Sequence, residues 1–151
     1  MTAPGMFVGV PKNANRRDHQ MFKRLFAAPV QVSAHCDLPC GIYDPAQAKI
    51  EAESVKACMV KAAASGDADF KARALSIKEE RSDLVKHHLW VLWTDYFKPP
   101  HVETFPDLHS LFWNAAKLCS KVKQEVNLEA ANQLVATCEK VVEMFAQTQP
   151  K

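Results

Sequence analysis

The strongest constraint on this 151-residue chain is where a helix is forced to stop. From Asp44 onward apolar residues recur every three or four positions, the period of a helix with one buried face. The pattern is broken at Ser65-Gly66-Asp67, at Pro99-Pro100, around Thr104 to Pro106 and at Asn127. Asp44 is an N-cap, with Pro45 at the first helical position and Gln47 at the capping-box position, so a first helix runs to about Ala64 with Ala48, Ala52, Val55, Met59 and Ala62 inward. Asp67 caps a second helix, in which Phe70, Ala74, Ile77, Leu84 and Val91 keep the spacing until Pro99-Pro100 forbids continuation. That helix is roughly 28 residues, about 42 Å long at the usual rise. Thr104 and Pro106 open a third, with Leu108, Leu111, Ala115, Leu118 and Val122 inward. Asn127 begins a fourth, with Ala131, Leu134, Cys138, Val141 and Phe145 inward. Short connections between amphipathic helices predict an all-α fold, an antiparallel up-and-down four-helix bundle.

Composition narrows the function classes. Four glycines favour helices over a turn-rich β fold, and the length suits one domain. The +2 net charge conceals an asymmetry: residues 1–34 carry five Lys/Arg against one Asp, leaving 14 basic and 16 acidic residues from His35 onward. Basic residues in the body are interleaved with acids, which excludes a nucleic-acid surface, and no apolar run is long enough for a membrane span. The first 34 residues, with Pro4, Pro11, Pro29 and Arg16-Arg17, do not read as a packed domain. Their longest clean apolar run, Leu25 to Ala28, is too short for a secretory signal, yet Val32-Ser33-Ala34 has the small residues of a cleavage site. We therefore expect residues 1–34 to be a leader removed by a processing peptidase from a cytoplasmic protein. An organellar transit peptide, or a shorter leader starting at Met21, are the alternatives. The mature chain would then be residues 35–151, with a metal hook over 35–43 and the helical bundle over 44–149.

Five cysteines divide by setting. Cys58, Cys119 and Cys138 lie in apolar helical surroundings and read as core. Cys36 and Cys40 flank Pro39 in a polar stretch with neither helical nor strand period. If Ala34 is the last residue removed, the new N-terminus offers the His35 α-amine and imidazole, the Cys36 amide nitrogen and thiolate, and the Cys40 thiolate. An amine, an ionised amide and two thiolates surround a metal in one plane, which suits Ni(II) or Cu(II) far better than tetrahedral Zn(II). The imidazole is left for the axial side. Such anionic donors bring Ni(III) within reach of Ni(II) and make the metal a one-electron centre.

The segment HCDLPCGIYDP, from His35 to Pro45, resembles the hook signature of the nickel-containing superoxide dismutases. The segments IEAESVKA, IKEERSDLVKHH and VLWTDYFKPPH are similar to the family's, so the resemblance covers the chain from His35 to Lys151. It implies disproportionation of superoxide to dioxygen and hydrogen peroxide by Ni(III)/Ni(II) cycling, one nickel ion per chain and a homohexamer. It also implies metal ligation by His35, Cys36 and Cys40, and support of the axial imidazole by Glu51 and Arg81. The residues agree in part: Arg81 interrupts the inward stripe of the second helix, and Glu51 shares a face with Val55 and Cys58, so two charges point toward apolar surroundings and need partners. Tyr43 and Asp37 also match family positions. The Tyr hydroxyl there lies near the open face of the metal, although simple packing of the hook would explain Tyr43 equally well. The resemblance further implies a cis bond at Leu38-Pro39, and superoxide steering by Lys86 and Lys98, which as exposed lysines also suit plain solvation.

Other features read more simply. His87-His88 are adjacent on a helix and diverge by about 100°, which favours structural roles over a shared metal. Trp90, Trp93, Tyr96 and Phe97 have the spacing of a core or a subunit interface. Competing readings of the whole remain a nickel carrier without turnover, a bundle that only mediates association, and a Cys36–Cys40 disulfide in place of a metal hook.

Overall fold

Asp44 begins the first helix as expected, its Oδ1 accepting the Ala46 backbone N–H at 2.8 Å. In the computed structural model, which describes residues 41–149, helix α1 spans Ala46–Ala64, one residue later than the proline suggests, and Pro45 is buried at its start. The Asp67 carboxylate accepts from Asp69 N at 2.9 Å and Phe70 N at 3.3 Å, opening α2, Ala68–Val91. This helix runs on through one π-helical turn, Leu92–Tyr96, closed by Phe97 N donating to Leu92 O at 3.0 Å. The long second helix therefore has the expected reach, but its last turn is wider than an α turn.

Two boundaries differ from expectation. Pro99-Pro100 does end α2, yet it also starts a short helix, α3, Pro99–Thr104, where prolines fit the first-turn positions that need no N–H donor. The next long helix, α4, spans Leu108–Gln124 and so opens after Pro106 rather than at Thr104. Helix α5, Leu128–Thr148, is capped as expected, Asn127 Oδ1 accepting from Ala130 N at 2.9 Å.

Helix α1 packs on α2 and α5, and α4 packs on the same two, so the four long helices form a closed ring in which chain neighbours run antiparallel. This is the four-helix bundle. Phe112, Met59, Leu89, Leu108 and Leu134 are its largest fully buried side chains, joined by small residues such as Ala48, Ala52 and Ala131 that let the helices approach. No helix among the described residues is long and apolar enough to cross a membrane.

The buried faces of α1 and α5 are those read from the sequence, except that Phe145 is half-buried at the end of α5. On α2 the stripe is displaced. Ala74 is buried, but Phe70 is exposed and Ile77, Leu84 and Val91 are half-buried, while Lys78, Ser82, Val85 and Leu89 lie inside. Polar residues fit there because backbone carbonyls satisfy them: Lys78 Nζ donates to Lys123 O at 2.6 Å, at the end of α4, and Ser82 Oγ donates to Lys78 O at 2.7 Å. On α4, Phe112 and Cys119 take the innermost places and Leu111 and Leu118 flank them. Cys119 and Cys138 are core as expected, whereas Cys58 is half-buried.

Candidate metal centre

Gly41 has φ of +70°, a left-handed conformation that costs glycine little and other residues much. It immediately follows Cys40 in the sequence, so the chain changes direction between the expected hook and the bundle. Ile42 is left exposed. The next residue, Tyr43, is half-buried with its ring centroid 5.4 Å from that of Tyr96. Tyr96 is itself fixed by Phe145 at 4.4 Å, by Phe97 at 5.0 Å and by Gln149 Nε2 donating to its hydroxyl at 2.7 Å. Packing of Tyr43 onto the bundle, one of its two expected roles, is thus built into an aromatic cluster at one pole. Asp44, one residue before the cap position of α1, accepts from Ala46 N and holds the following turn.

Glu51 and Arg81, thirty residues apart, are brought together. The Arg81 Nη1 lies 3.2 Å from both carboxylate oxygens of Glu51, across the α1–α2 seam. The Glu51 side chain is 16% exposed and that of Arg81 36%, so the carboxylate is the more dehydrated member. A partly buried carboxylate with one fixed cation keeps free lone pairs for a further donor, such as an imidazole N–H.

The two expected steering lysines are each engaged locally rather than together. Lys86 Nζ lies 3.3 Å from Ser120 Oγ and 5.2 Å from the centre of the Trp90 ring. Lys98 Nζ donates to Asp95 O at 2.6 Å. The rings of His87 and His88 meet edge to face at 5.6 Å, closer than their helical divergence suggests, but among the described residues no three His, Cys, Asp or Glu side chains could hold a metal ion.

His35, Cys36, Asp37 and Cys40, together with Leu38-Pro39 and the leader, lie outside the described residues. A metal ligand must be a thiolate, and burial, the largest cause, pushes the Cys119 and Cys138 thiols up to about 12. Glu139 beside Cys138 adds to the same upward push. Cys119 and Cys138 are therefore poor metal ligands.

Four residues escaped the sequence reading. Lys78 and Ser82 lay outside the inward stripe read for the second helix, yet both are buried. His101 and His109 drew no attention, yet Lys98 N donates to His101 Nδ1 at 3.1 Å and Trp93 Nε1 to His109 Nδ1 at 2.8 Å. His101 sits three residues after Lys98, a capping-box spacing that could have been found.

Comparison with known proteins places this geometry. The family model described as nickel-containing superoxide dismutase matches residues 30–149. The protein named superoxide dismutase [Ni] from Streptomyces seoulensis is 55% identical over 127 residues, covering 84% of this chain and 92% of that protein. Its namesake from Streptomyces coelicolor (strain ATCC BAA-471 / A3(2) / M145) is 60% identical over 103 residues, covering 68% and 79%. Among solved structures, a native nickel superoxide dismutase superposes with a TM-score of 0.73 at 47% identity, covering 77% of this chain and all of that one. A second, with nickel ligation corresponding to the oxidised state, gives 0.72 at 51% identity, covering 76% and 97%.

Proposed function

The chain belongs to the nickel-containing superoxide dismutases, and from that premise we propose which of its residues carry the reaction. The activity is the conversion of two superoxide ions and two protons to dioxygen and hydrogen peroxide, with nickel as cofactor. Nickel would be held, one ion per chain, by the α-amine and imidazole of His35, the amide nitrogen and thiolate of Cys36 and the thiolate of Cys40. When bound, the metal supplies one-electron exchange between its trivalent and divalent states. Removal of residues 1–34 by a peptidase creates the α-amine; a leader without a secretory apolar run supports a cytoplasmic address.

The remaining work falls to the chain's own groups. Glu51 offers the His35 imidazole an acceptor for its second N–H, fixing the ring's tautomer and basicity, and Arg81 holds that carboxylate in place. Tyr43 anchors the hook's exit and presents a hydroxyl that restricts which anions approach, and Asp37 steadies the hook's turn. Lys86 and Lys98 raise the local concentration of a small anion. Trp90, 48% exposed, and Trp113, 57% exposed, supply apolar surface suited to subunit contacts in a homohexamer.

The observation that carries this reading is the Glu51–Arg81 pair, because a dehydrated carboxylate held at 3.2 Å by one guanidinium is costly to build for a surface helix and useful for orienting an imidazole. Electron paramagnetic resonance of the processed, nickel-loaded protein tests it. A resting Ni(III) signal with axial nitrogen coupling is expected, and Glu51→Ala should weaken that coupling. Diamagnetic nickel that exchanges freely with a chelator would instead make the protein a carrier.

A further inference from the structure

The corner between α2 and α4 is held by two imidazoles that accept hydrogen bonds. Lys98 N donates to His101 Nδ1 at 3.1 Å, while His101 N donates back to Lys98 O at 2.9 Å, closing the first turn of α3. At the other side of the corner, Trp93 Nε1 donates to His109 Nδ1 at 2.8 Å. Neither donor can reverse its role, because a backbone amide and an indole N–H only donate. Both Nδ1 atoms must therefore lack a proton. Each ring is neutral in this arrangement, with its hydrogen on Nε2.

Both rings also touch the cluster that seats Tyr43. His101 stacks on Tyr96 with centroids 5.7 Å apart and planes inclined by 24°, and meets Phe97 edge-on at 5.7 Å. Trp93 stacks on Phe112 at 6.0 Å, Phe112 packs on Phe97 at 5.5 Å, and Phe97 packs on Tyr96 at 5.0 Å. Tyr96 carries Tyr43. We propose that His101 and His109 are positioning residues for Tyr96 and Tyr43 that act only as neutral imidazoles, so that protonation of the two rings unlatches the corner beneath Tyr43.

The physical step is simple. Protonation at Nδ1 sets an N–H against an N–H at both contacts, so each hydrogen bond is lost and a like dipole replaces it. The charged groups facing His109 are Lys98 and Glu103, which line the same hollow with opposite signs. His101 faces Tyr96 on α2 and the backbone of Lys98, and Phe97 closes its other side. Glu103 lines the hollow beside His109, yet no carboxylate among the described residues forms an ion pair with either ring. The link from Tyr43 to metal chemistry rests on the hook assignment above; the latch itself does not.

Amide hydrogen exchange on the full chain without added metal separates the two. Pro99 and Pro100 have no amide hydrogen, so Lys98 and His101 are the only exchanging amides from Lys98 to His101, and the latch reads out cleanly. Between pH 7.5 and 5.5 the protection factor of Lys98 should fall at least tenfold, with a parallel loss at Tyr43. His101→Gln places a non-titrating acceptor at the same capping position and should keep Lys98 protected at both pH values. His101→Ala should leave it unprotected at both. His109→Asn should remove the acid-induced red shift of Trp93 emission in a chain carrying Trp90→Phe and Trp113→Phe. Protection at Lys98 unchanged by acid, or an equal loss in His101→Gln, overturns the latch. Loss at Lys98 with Tyr43 unaffected overturns the positioning role. Absence of dismutase activity in the metal-loaded protein would strike the hook assignment alone.

Discussion

Replacing Arg81 with Ala asks how much the α1–α2 seam depends on one ion pair. Fully exposed pairs contribute about 0.2–1 kcal/mol, and breaking a fully buried one costs about 3–5 kcal/mol because a charge is stranded. This pair lies between, since Glu51 is 16% exposed while Arg81, at 36%, remains open to solvent screening. The contact is made by a single nitrogen to two oxygens at 3.2 Å, not by a two-nitrogen fork, which argues for the lower half of that interval. Arg81→Ala should cost about 1–2 kcal/mol, Glu51→Gln somewhat less because the amide still accepts a hydrogen bond, and the double variant should fall short of their sum by about 1 kcal/mol. Urea unfolding of the metal-free full chain at one fixed concentration measures all four corners of the cycle. In a domain of this size about 1 kcal/mol moves Tm by about 4 °C, well within reach of calorimetry. Single losses that add to within about 0.3 kcal/mol would show that the two charges do not support each other. The activity of the same variants, nickel-loaded, should fall further than their stability does.

Cys36→Ser or Cys40→Ser should abolish nickel binding by metal analysis, whereas Cys119→Ser and Cys138→Ser should retain it at a stability cost of about 1–3 kcal/mol each, from placing a hydroxyl in the core. A chain with one Ala retained before His35 should fold with unchanged circular dichroism yet show no dismutation, because an amide nitrogen replaces the α-amine; full activity with the extra residue confirmed by mass spectrometry would remove the amine from the ligand set. Alkali should destabilise the fold. The Cys119 and Cys138 thiols, raised from 9.0 to about 12 when folded, hold their protons longer than in the unfolded chain. Their contribution is complete below about pH 9 and is lost as pH rises toward 12. Lys78, lowered from 10.5 by burial, works in the opposite sense, so a Cys119→Ala/Cys138→Ala variant should flatten the decline and even reverse its sign in urea titrations above pH 9.

Helix existence was legible because most of the long helices have a boundary in their own residues: Asp67 and Asn127 cap as expected, and Asp44 accepts from Ala46 N just ahead of α1, whose cap position falls on Pro45. The faces of α1 and α5 were legible too, since few of their apolar residues compete for the inward side. On α2 the stripe failed. Leu84 and Val85 are adjacent and equally apolar, and the choice between them depends on Lys78 reaching the end of α4, a tertiary contact with no trace in local spacing. The extra π turn has no single-residue signal either, whereas the restart at Pro99-Pro100 does: the same two prolines that end one helix suit the first turn of another. For the site, Glu51 and Arg81 were named through the family resemblance; the inward stripe that Arg81 was read as interrupting is displaced, and its side chain is 36% exposed where it meets Glu51. The histidine acceptors of the corner were not legible, because an imidazole's role is set by which donors the fold aims at it.

An even number of long helices returns the chain to the pole where it started. Tyr43 and Gln149 both contact Tyr96, so residues from the two ends of the described chain flank one ring. Anything appended to the chain shortly after Gln149 is tethered to the pole where Tyr43 packs. An oligohistidine affinity handle placed there would bring several imidazoles, good nickel ligands in their own right, to that pole. The opposite pole, at Ser65-Gly66-Asp67 or at Glu125 to Asn127, is the place for a label or a fusion partner, with a protease-exposed insertion site at Gly66, where the chain has open space.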